Sequence, residues 1–577
     1  MCAVTNPIRS RYLRSTLSGL LLCLAPILAF RASAAAESPP QQPAPPILSY
    51  IHDAWHTLTR STNKCESLTD PKLRTPSRVL YLPYGMQVPA SVARLRNQCA
   101  VQIKVLPRSI TRLGQINPKN LPVQGLLYLP NPYVVPGGRF NEMYGWDSYF
   151  IIRGLLEDGQ LDLARGMVEN FFFEIDHYGA VLNANRTYYL TRSQPPFLSS
   201  MILAVHQADV AAHHDDAAWL ARAYQYTQRD HKLWMTAPKF NSATGLSRYY
   251  DTGSGPVPEL GDNSDYYATV ADWLLKHPDV RTEYLTAVAA KGTGAAIQVP
   301  LCGNPPCAKT KTVWLTPSFY KGDRAMRESG FDVSFRFGPF GGSTQDFAPV
   351  GLNSLLYKVE CDLSELATDL RRPNESHHWS RVAEDRKRLI NRYLWDSTTG
   401  LFVDYNLRLR QRSHVLYATT FYPLWTGLAT PSQARAVRHH LPQLEQPGGI
   451  AMSDCETGVQ WDKPYGWAPI QLITVEGLRR YGFTEDANRI SYDFLTMVVE
   501  NEKKDGTIRE KYNVVNRTTV ANITAGYTSN VVGFGWTNGT FLVLLNQLPA
   551  RERQSVLDDP NRSTADAPQV VTAQSEL

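Results

Sequence analysis

Two loops, far apart in the chain, hold most of the residues able to do chemistry. Residues 136–149 read Pro-Gly-Gly-Arg-Phe-Asn-Glu-Met-Tyr-Gly-Trp-Asp-Ser-Tyr, gathering Arg139, Glu142, Trp146 and Asp147 beside Tyr144 and Tyr149, just ahead of a helical pattern. Residues 460–469, Gln-Trp-Asp-Lys-Pro-Tyr-Gly-Trp-Ala-Pro, again join Trp461 and Asp462 to turn residues before a helix. Aromatic faces stack on the C–H faces of sugar rings, while carboxylates and guanidinium forks grip hydroxyls in defined directions. The mixture suits a neutral, polyhydroxylated ligand. A single cluster reads equally well as a helix cap with an ion pair, but two matched ones weigh against coincidence. Asn183-Ala-Asn-Arg186, Arg192-Ser-Gln-Pro-Pro196 and Gly533-Phe-Gly-Trp-Thr-Asn538 add amides, guanidinium groups and a further aromatic. The expected pocket is therefore assembled from many loops, each giving one or two polar contacts.

Cleaving a sugar–sugar bond needs a carboxylic acid to protonate the leaving oxygen and, with inversion, a carboxylate to activate water. Glu142, Asp147, Glu259, Glu328, Asp332, Asp454, Glu456, Asp462 and Glu510 all sit near the informative loops. Local chemistry narrows them only in part. Asp332, in Glu-Ser-Gly-Phe-Asp-Val-Ser-Phe-Arg-Phe, has the apolar and aromatic setting that raises a carboxyl pKa. Glu510, in Gly-Thr-Ile-Arg-Glu-Lys-Tyr-Asn, has cationic neighbours that favour a carboxylate able to act as base.

The elements that must carry these loops are helices. Apolar residues recur at helical spacing over 148–157 with 160–176, 196–210 with 216–236, 350–370 with 375–395, 417–429 with 431–441, and 468–481 with 484–503. A last apolar segment, 535–548, closes the series. Strand-like alternation is sparse, and no fixed repeat speaks for an open solenoid. Between the helices run long Gly- and aromatic-rich connections at 131–147, 183–195, 320–348, 446–467 and 505–535. Stacked helical hairpins with a site on their loops predict an all-α fold, a closed α/α toroid with a pocket at one end.

The chain has 577 residues and a formal charge of +6. Arg9, Arg11, Arg14 and Arg31 account for the first 36 residues' charge; without them 55 basic residues face 53 acidic ones. That near-neutrality removes a nucleic-acid footprint as a driving feature. Residues 1–36 combine a basic start, an apolar run from Leu17 to Phe30 and Ala32-Ser-Ala-Ala-Ala36, the pattern of a cleavable export signal. The expectation is a periplasmic or secreted protein that is not held in the membrane after cleavage. Residues 37–49 read as a Pro-rich linker, 50–549 as one catalytic domain and 550–577 as a disordered tail. Export permits disulfides, with Cys65 and Cys99, or Cys302 and Cys307, as possible pairs. No CxxC, HExxH or Gly-rich phosphate loop occurs, so neither a metal nor a cofactor is expected. No interface pattern stands out, which leaves a monomer as the default.

At residues 136–149 and 460–469 the chain resembles the trehalases, matching without a mismatch the two motifs by which that family is recognised. Resemblance to its periplasmic type extends over about 125–549, including 183–196, 328–334 and 510–513. It implies an (α/α)6 toroid and hydrolysis of α,α-trehalose to two glucoses, with inversion at the attacked carbon. The family's general acid falls on Asp332 and its general base on Glu510. Its sugar-contacting positions fall on Arg139, Trp146, Asp147, Asn183, Arg192, Ser193, Gln194, Glu259 and Gly330, and Trp461 is expected to wall the pocket.

The chain departs from the family pattern at two places. Val257-Pro-Glu259 stands where bacterial members have Arg-Pro-Glu, so a guanidinium is missing or comes from another residue such as Arg248. Val514–Val532 holds no acid where members carry a sugar-contacting Glu, with Asn530 or Tyr527 as alternatives for that corner. Two other readings compete: an inverting glycosidase of another small α-glucoside, and a secreted sugar-binding descendant without catalysis.

Overall fold

A computed structural model describes residues 46–70, 78–214, 216–260, 264–278, 282–301, 309–525 and 530–558. Twelve helices build the scaffold, alternating between an outer and an inner ring along the chain. The outer ones are α1 (Pro46–Leu58), α3 (Leu161–His177), α5 (Ala217–Trp234), α7 (Pro373–Tyr393), α9 (Pro431–His439) and α11 (Thr484–Asp505). The inner ones are α2 (Asp147–Glu157), α4 (Leu198–Ala211), α6 (Val350–Asp369), α8 (Tyr422–Trp425), α10 (Ala468–Arg480) and α12 (Gly535–Gln547). Each inner helix packs on the next, and α12 returns to α2, which closes the ring. This is the expected (α/α)6 toroid.

Sequence composition sorts the two rings. In α7 the buried positions are Trp379, Ala383, Arg386 and Ile390, one stripe at helical spacing with solvent on the other side. α12 is apolar nearly all round, and its residues from Gly535 to Leu545 are buried. A helix without a wet face belongs inside. The ring closes where two glycines meet, since a Cβ on Gly154 of α2 would strike the backbone of Gly539 of α12. Starts and stops are locally encoded: Thr430, Pro431 and Gln433 form a capping box at α9, and Gly506 ends α11 in the left-handed region.

Most helix boundaries expected from periodicity lie close to those observed, but the run expected over 417–429 is a 3-10 turn, Ala418–Phe421, followed by the short helix Tyr422–Trp425. Helices Ala90–Cys99 and Ser264–Lys276 were not expected, and further segments differ. α1 starts at Pro46, inside the stretch read as linker, and supplies the sixth outer helix. Its amphipathic stripe (Ile47, Ile51, Ala54, Trp55, Leu58) has its inner partner far along the chain, so no hairpin spacing announces it. Ala550–Asp558 is helical and packs on α11, where a disordered tail was expected. Pro317–Glu328 is a helix, although much of it was counted as loop. Residues 1–36, the proposed signal, lie outside the described residues, as do Cys302 and Cys307.

Small sheets occupy the connections. Val79–Leu82 pairs in parallel with Gln102–Val105 and Leu126–Leu127, around helix Ala90–Cys99. A Cys65–Cys99 disulfide ties that unit to the segment before it. Among the described residues, no helix is long and apolar enough to cross a membrane.

Candidate active site

Hydrogen bonding sorts the nine candidate carboxylates. Glu142 is ion-paired with buried Arg186 at 2.6 Å, beneath the first loop. Glu328 accepts from Ser193 N at 3.0 Å, Lys239 Nζ at 2.6 Å and Tyr250 N at 2.6 Å. Asp462 accepts from Ser334 Oγ, Phe335 N and Thr457 Oγ1 at 3.0, 2.9 and 2.6 Å. These three tie loops together. Asp454 and Glu456 are exposed. Asp147, Glu259, Asp332 and Glu510 are left for chemistry.

Those four share one electrostatic neighbourhood. Asp332 follows helix Pro317–Glu328, and its Oδ2 accepts from Arg327 Nη1 at 3.3 Å. Its side chain keeps 30 % of its surface open. Burial pushes its carboxyl up to about 7, against the pull of Arg327 and Arg192 and with help from Glu259. Glu259 moves the other way: burial works to raise it, but Arg192 and Arg327 hold it below the usual carboxylate range. Arg192 also ion-pairs directly with Glu259, lies 3.9 Å from Asp251 and sits 4.8 Å over the Tyr189 ring. Asp147, the first residue of α2, is pushed up to about 8, chiefly by burial, with Glu510 and Asp332 adding like charge. A carboxyl so placed keeps its proton near neutral pH and presents a hydroxyl. Glu510 is almost fully buried, and Lys511 Nζ lies 3.1 Å from its Oε2.

Under these groups lies a block of indoles. Trp461 and Trp467 stack face to face at 3.9 Å and 1°, and Trp536 meets both edge-on. Trp146 joins at 6.0 Å from Trp461 and 5.6 Å from Trp536. Phe331, beside Asp332, packs on Trp146 and Trp461 at 5.6 and 4.8 Å. The rings were expected to face sugar, but Trp467 has no exposed surface and one face of Trp461 is covered by it. The indoles are first a rigid, dry floor, which strengthens every charge interaction above it.

Gly330 shows how the floor sets the acid. It adopts φ +79°, and a Cβ there would meet the Trp146 ring at 2.7 Å. Gly330→Ala is therefore expected to lose about 1–3 kcal/mol of stability and most activity. A denaturant melt and a turnover assay on the same sample check both.

The remaining predicted positions are held as follows. Asn183 Nδ2 donates to Arg327 O at 3.4 Å, and its own carbonyl accepts from Gly145 N at 3.2 Å. Ser193 Oγ donates to Val181 O at 2.7 Å. Gln194 Oε1 accepts from Trp146 N at 2.9 Å, joining loop to loop. Arg139 is exposed, with its guanidinium 4.9 Å over Phe140.

Both departures from the family pattern have structural counterparts. Val257 is packed in an apolar cluster with Tyr266, Tyr267 and Val270. Arg248 is engaged elsewhere, donating to Pro238 O at 2.9 Å and Gln345 O at 3.1 Å. Besides Arg192, a second guanidinium beside the carboxylates belongs to Arg327, which sequence reasoning missed. Its signal was the helix start Thr316-Pro317, where the Thr316 side chain caps Phe319 N and Pro317 takes the first helical position. Asn530 bonds the Lys511 backbone in both directions, through Oδ1 at 3.2 Å and Nδ2 at 2.8 Å. Tyr527 lies outside the described residues. Among the described residues, no group of three or more His, Cys, Asp or Glu is arranged to hold a metal ion.

A family model described as trehalase matches residues 48–291 and 316–549. A probable trehalase of Saccharomyces cerevisiae is 35% identical over 559 residues, spanning 87% of this chain and 69% of the relative. The cytosolic neutral trehalase of the same yeast is 35% identical over 559 residues, spanning 87% and 71%. The solved structure of neutral trehalase Nth1 from Saccharomyces cerevisiae superposes with a TM-score of 0.71 at 32% identity, covering 89% of this chain and 96% of that one. Relatives named as cytosolic correct the expectation of a signal peptide and of a periplasmic or secreted location.

Proposed function

The chain belongs to the trehalase family and hydrolyses α,α-trehalose to glucose, and from that premise we propose that it does so with inversion, Asp332 acting as general acid and Glu510 as general base. The observation that carries the reading is the position of Asp147, whose carboxyl feels both Glu510 and Asp332 as like charges. Two carboxyls that act on one third group both lie within reach of it. The one beside the aromatic floor has a pKa raised to about 7 and holds a proton to give. The other lies against a lysine ammonium and is suited to accept one.

In this reading a water molecule sits between Glu510 and the anomeric carbon of one glucose. Glu510 takes a proton from that water as the water oxygen bonds to the carbon. The glycosidic C–O bond breaks, its electron pair goes to the leaving oxygen, and Asp332 supplies the proton. The attacked glucose leaves in the β form and the other keeps its α form. Arg192, paired with Glu259, and Arg327, paired with Asp332, hold hydroxyls around that space. The protonated Asp147 donates to a sugar oxygen without adding charge. Asn183, Ser193, Gln194 and Gly330 keep the loops that carry these groups in place, and Arg139 closes the rim.

Proton NMR of the anomeric region in the first minutes of hydrolysis tests the reading. Equal amounts of β- and α-glucose, appearing before mutarotation, are expected. Release of α-glucose alone would overturn inversion and leave the trehalase assignment standing.

A further inference from the structure

The residue after the base, Lys511, is a lysine with no exposed surface. Its ammonium lies 3.1 Å from Glu510 Oε2 and 5.5 Å from the centre of the Trp467 ring, which itself stacks on Trp461. A cation so far from water is costly unless its charge is matched. The backbone around it is pinned from outside. Asn530 bonds Lys511 N and O, Glu510 N donates to Val531 O at 3.0 Å, and Trp536 Nε1 donates to Glu510 O at 3.2 Å. Both side chains thus leave the backbone from fixed points, and the pair is held in one geometry.

Resting on the reading of Glu510 as base, we propose that Lys511 is its positioning residue. The buried ammonium matches the charge of the Glu510 carboxylate across 3.1 Å and holds it aimed at the water it deprotonates. The other charged groups nearby do not do this. Asp147, reaching in from α2, is pushed up to about 8 and brings no positive charge to the carboxylate. Asp332, pushed up to about 7, holds the proton it gives and is paired with Arg327. Arg509, the preceding residue, is turned to Asp505 at 3.3 Å and to Asn530 O at 3.2 Å.

The test is the pH profile of kcat/KM on trehalose for Lys511→Met, Lys511→Arg and Glu510→Gln, with thermal melts of each. Removing the ammonium makes ionisation of a buried carboxylate harder, so in Lys511→Met the acid limb moves to higher pH by about 1–3 units. Lys511→Arg keeps the charge and is expected to restore the limb. A Lys511→Met enzyme whose activity drops by one factor at every pH, with the acid limb unmoved, would show a lysine that only packs and would overturn the inference. If Lys511→Met does not fold, Lys511→Gln is read in the same way. Glu510→Gln separates the two layers. If it stays active, the base itself is misassigned. If it is inert while Lys511→Met keeps its acid limb, only the role of Lys511 falls.

Discussion

Asp332→Asn is expected to cut trehalose turnover by roughly 10³-fold or more while leaving the fold intact. The amide keeps the shape of the side chain and loses the proton that the leaving sugar oxygen needs. Two measurements separate this from a general disturbance of the site. The variant should still hydrolyse α-glucosyl fluoride, because fluoride departs without protonation; equal loss on both substrates would sink the assignment. The wild-type enzyme should also lose kcat/KM as pH rises through about 7, the value to which burial pushes Asp332. The sign follows from the role, since an acid works only below its pKa. Asp147, pushed up to about 8, titrates just above and adds a second negative charge to the same space. The observed alkaline limb therefore belongs to the two groups together.

Glu510→Gln is expected to lose activity by a similar factor, roughly 10³-fold, and on both substrates. Water must be activated whether or not the leaving group needs a proton, so α-glucosyl fluoride offers no escape. That contrast assigns the two carboxyls from one pair of assays. A Glu510→Gln enzyme that cleaves the fluoride at the wild-type rate would place the base elsewhere, with Asp147 and Glu259 as the other carboxyls in the site. Glu259 is the weaker substitute, because its charge is already taken up by Arg192. Binding of trehalose to the inert variant, followed by calorimetry, would show that the pocket survives.

Much of the scaffold was legible because helical periodicity is a local signal. α2 to α7 and α10 to α12 lie within a few residues of the ranges read from apolar spacing. What escaped was structure whose reason is not local. α1 has a clear apolar stripe, but the seam it covers, between α2 and α12, exists only once the ring is closed. Helix Pro317–Glu328 buries Asp323, Arg324, Arg327 and Glu328 beside Phe319, Tyr320 and Met326, so its inner face reads in sequence as a mixture of charged and apolar residues. Arg327 was missed for that reason. Arg248 fails as a replacement for a different one: a long side chain has several partners within reach, and sequence does not say which it takes.

The chemistry of the ligand was written in residue types. Indoles, amides, guanidinium forks and carboxylates in paired loops specify a neutral polyol, and neighbouring residues already favour Asp332 as acid and Glu510 as base. Only the folded chain decides which carboxyls remain available and which keep their protons. Glu142, Glu328 and Asp462 are used up by hydrogen bonds from residues distant in sequence. Asp147 is pushed up to about 8, chiefly by burial, while Glu259 is drawn down by Arg192 and Arg327. Desolvation and charge act through space rather than along the chain, and that is why the carboxyls come apart only in three dimensions.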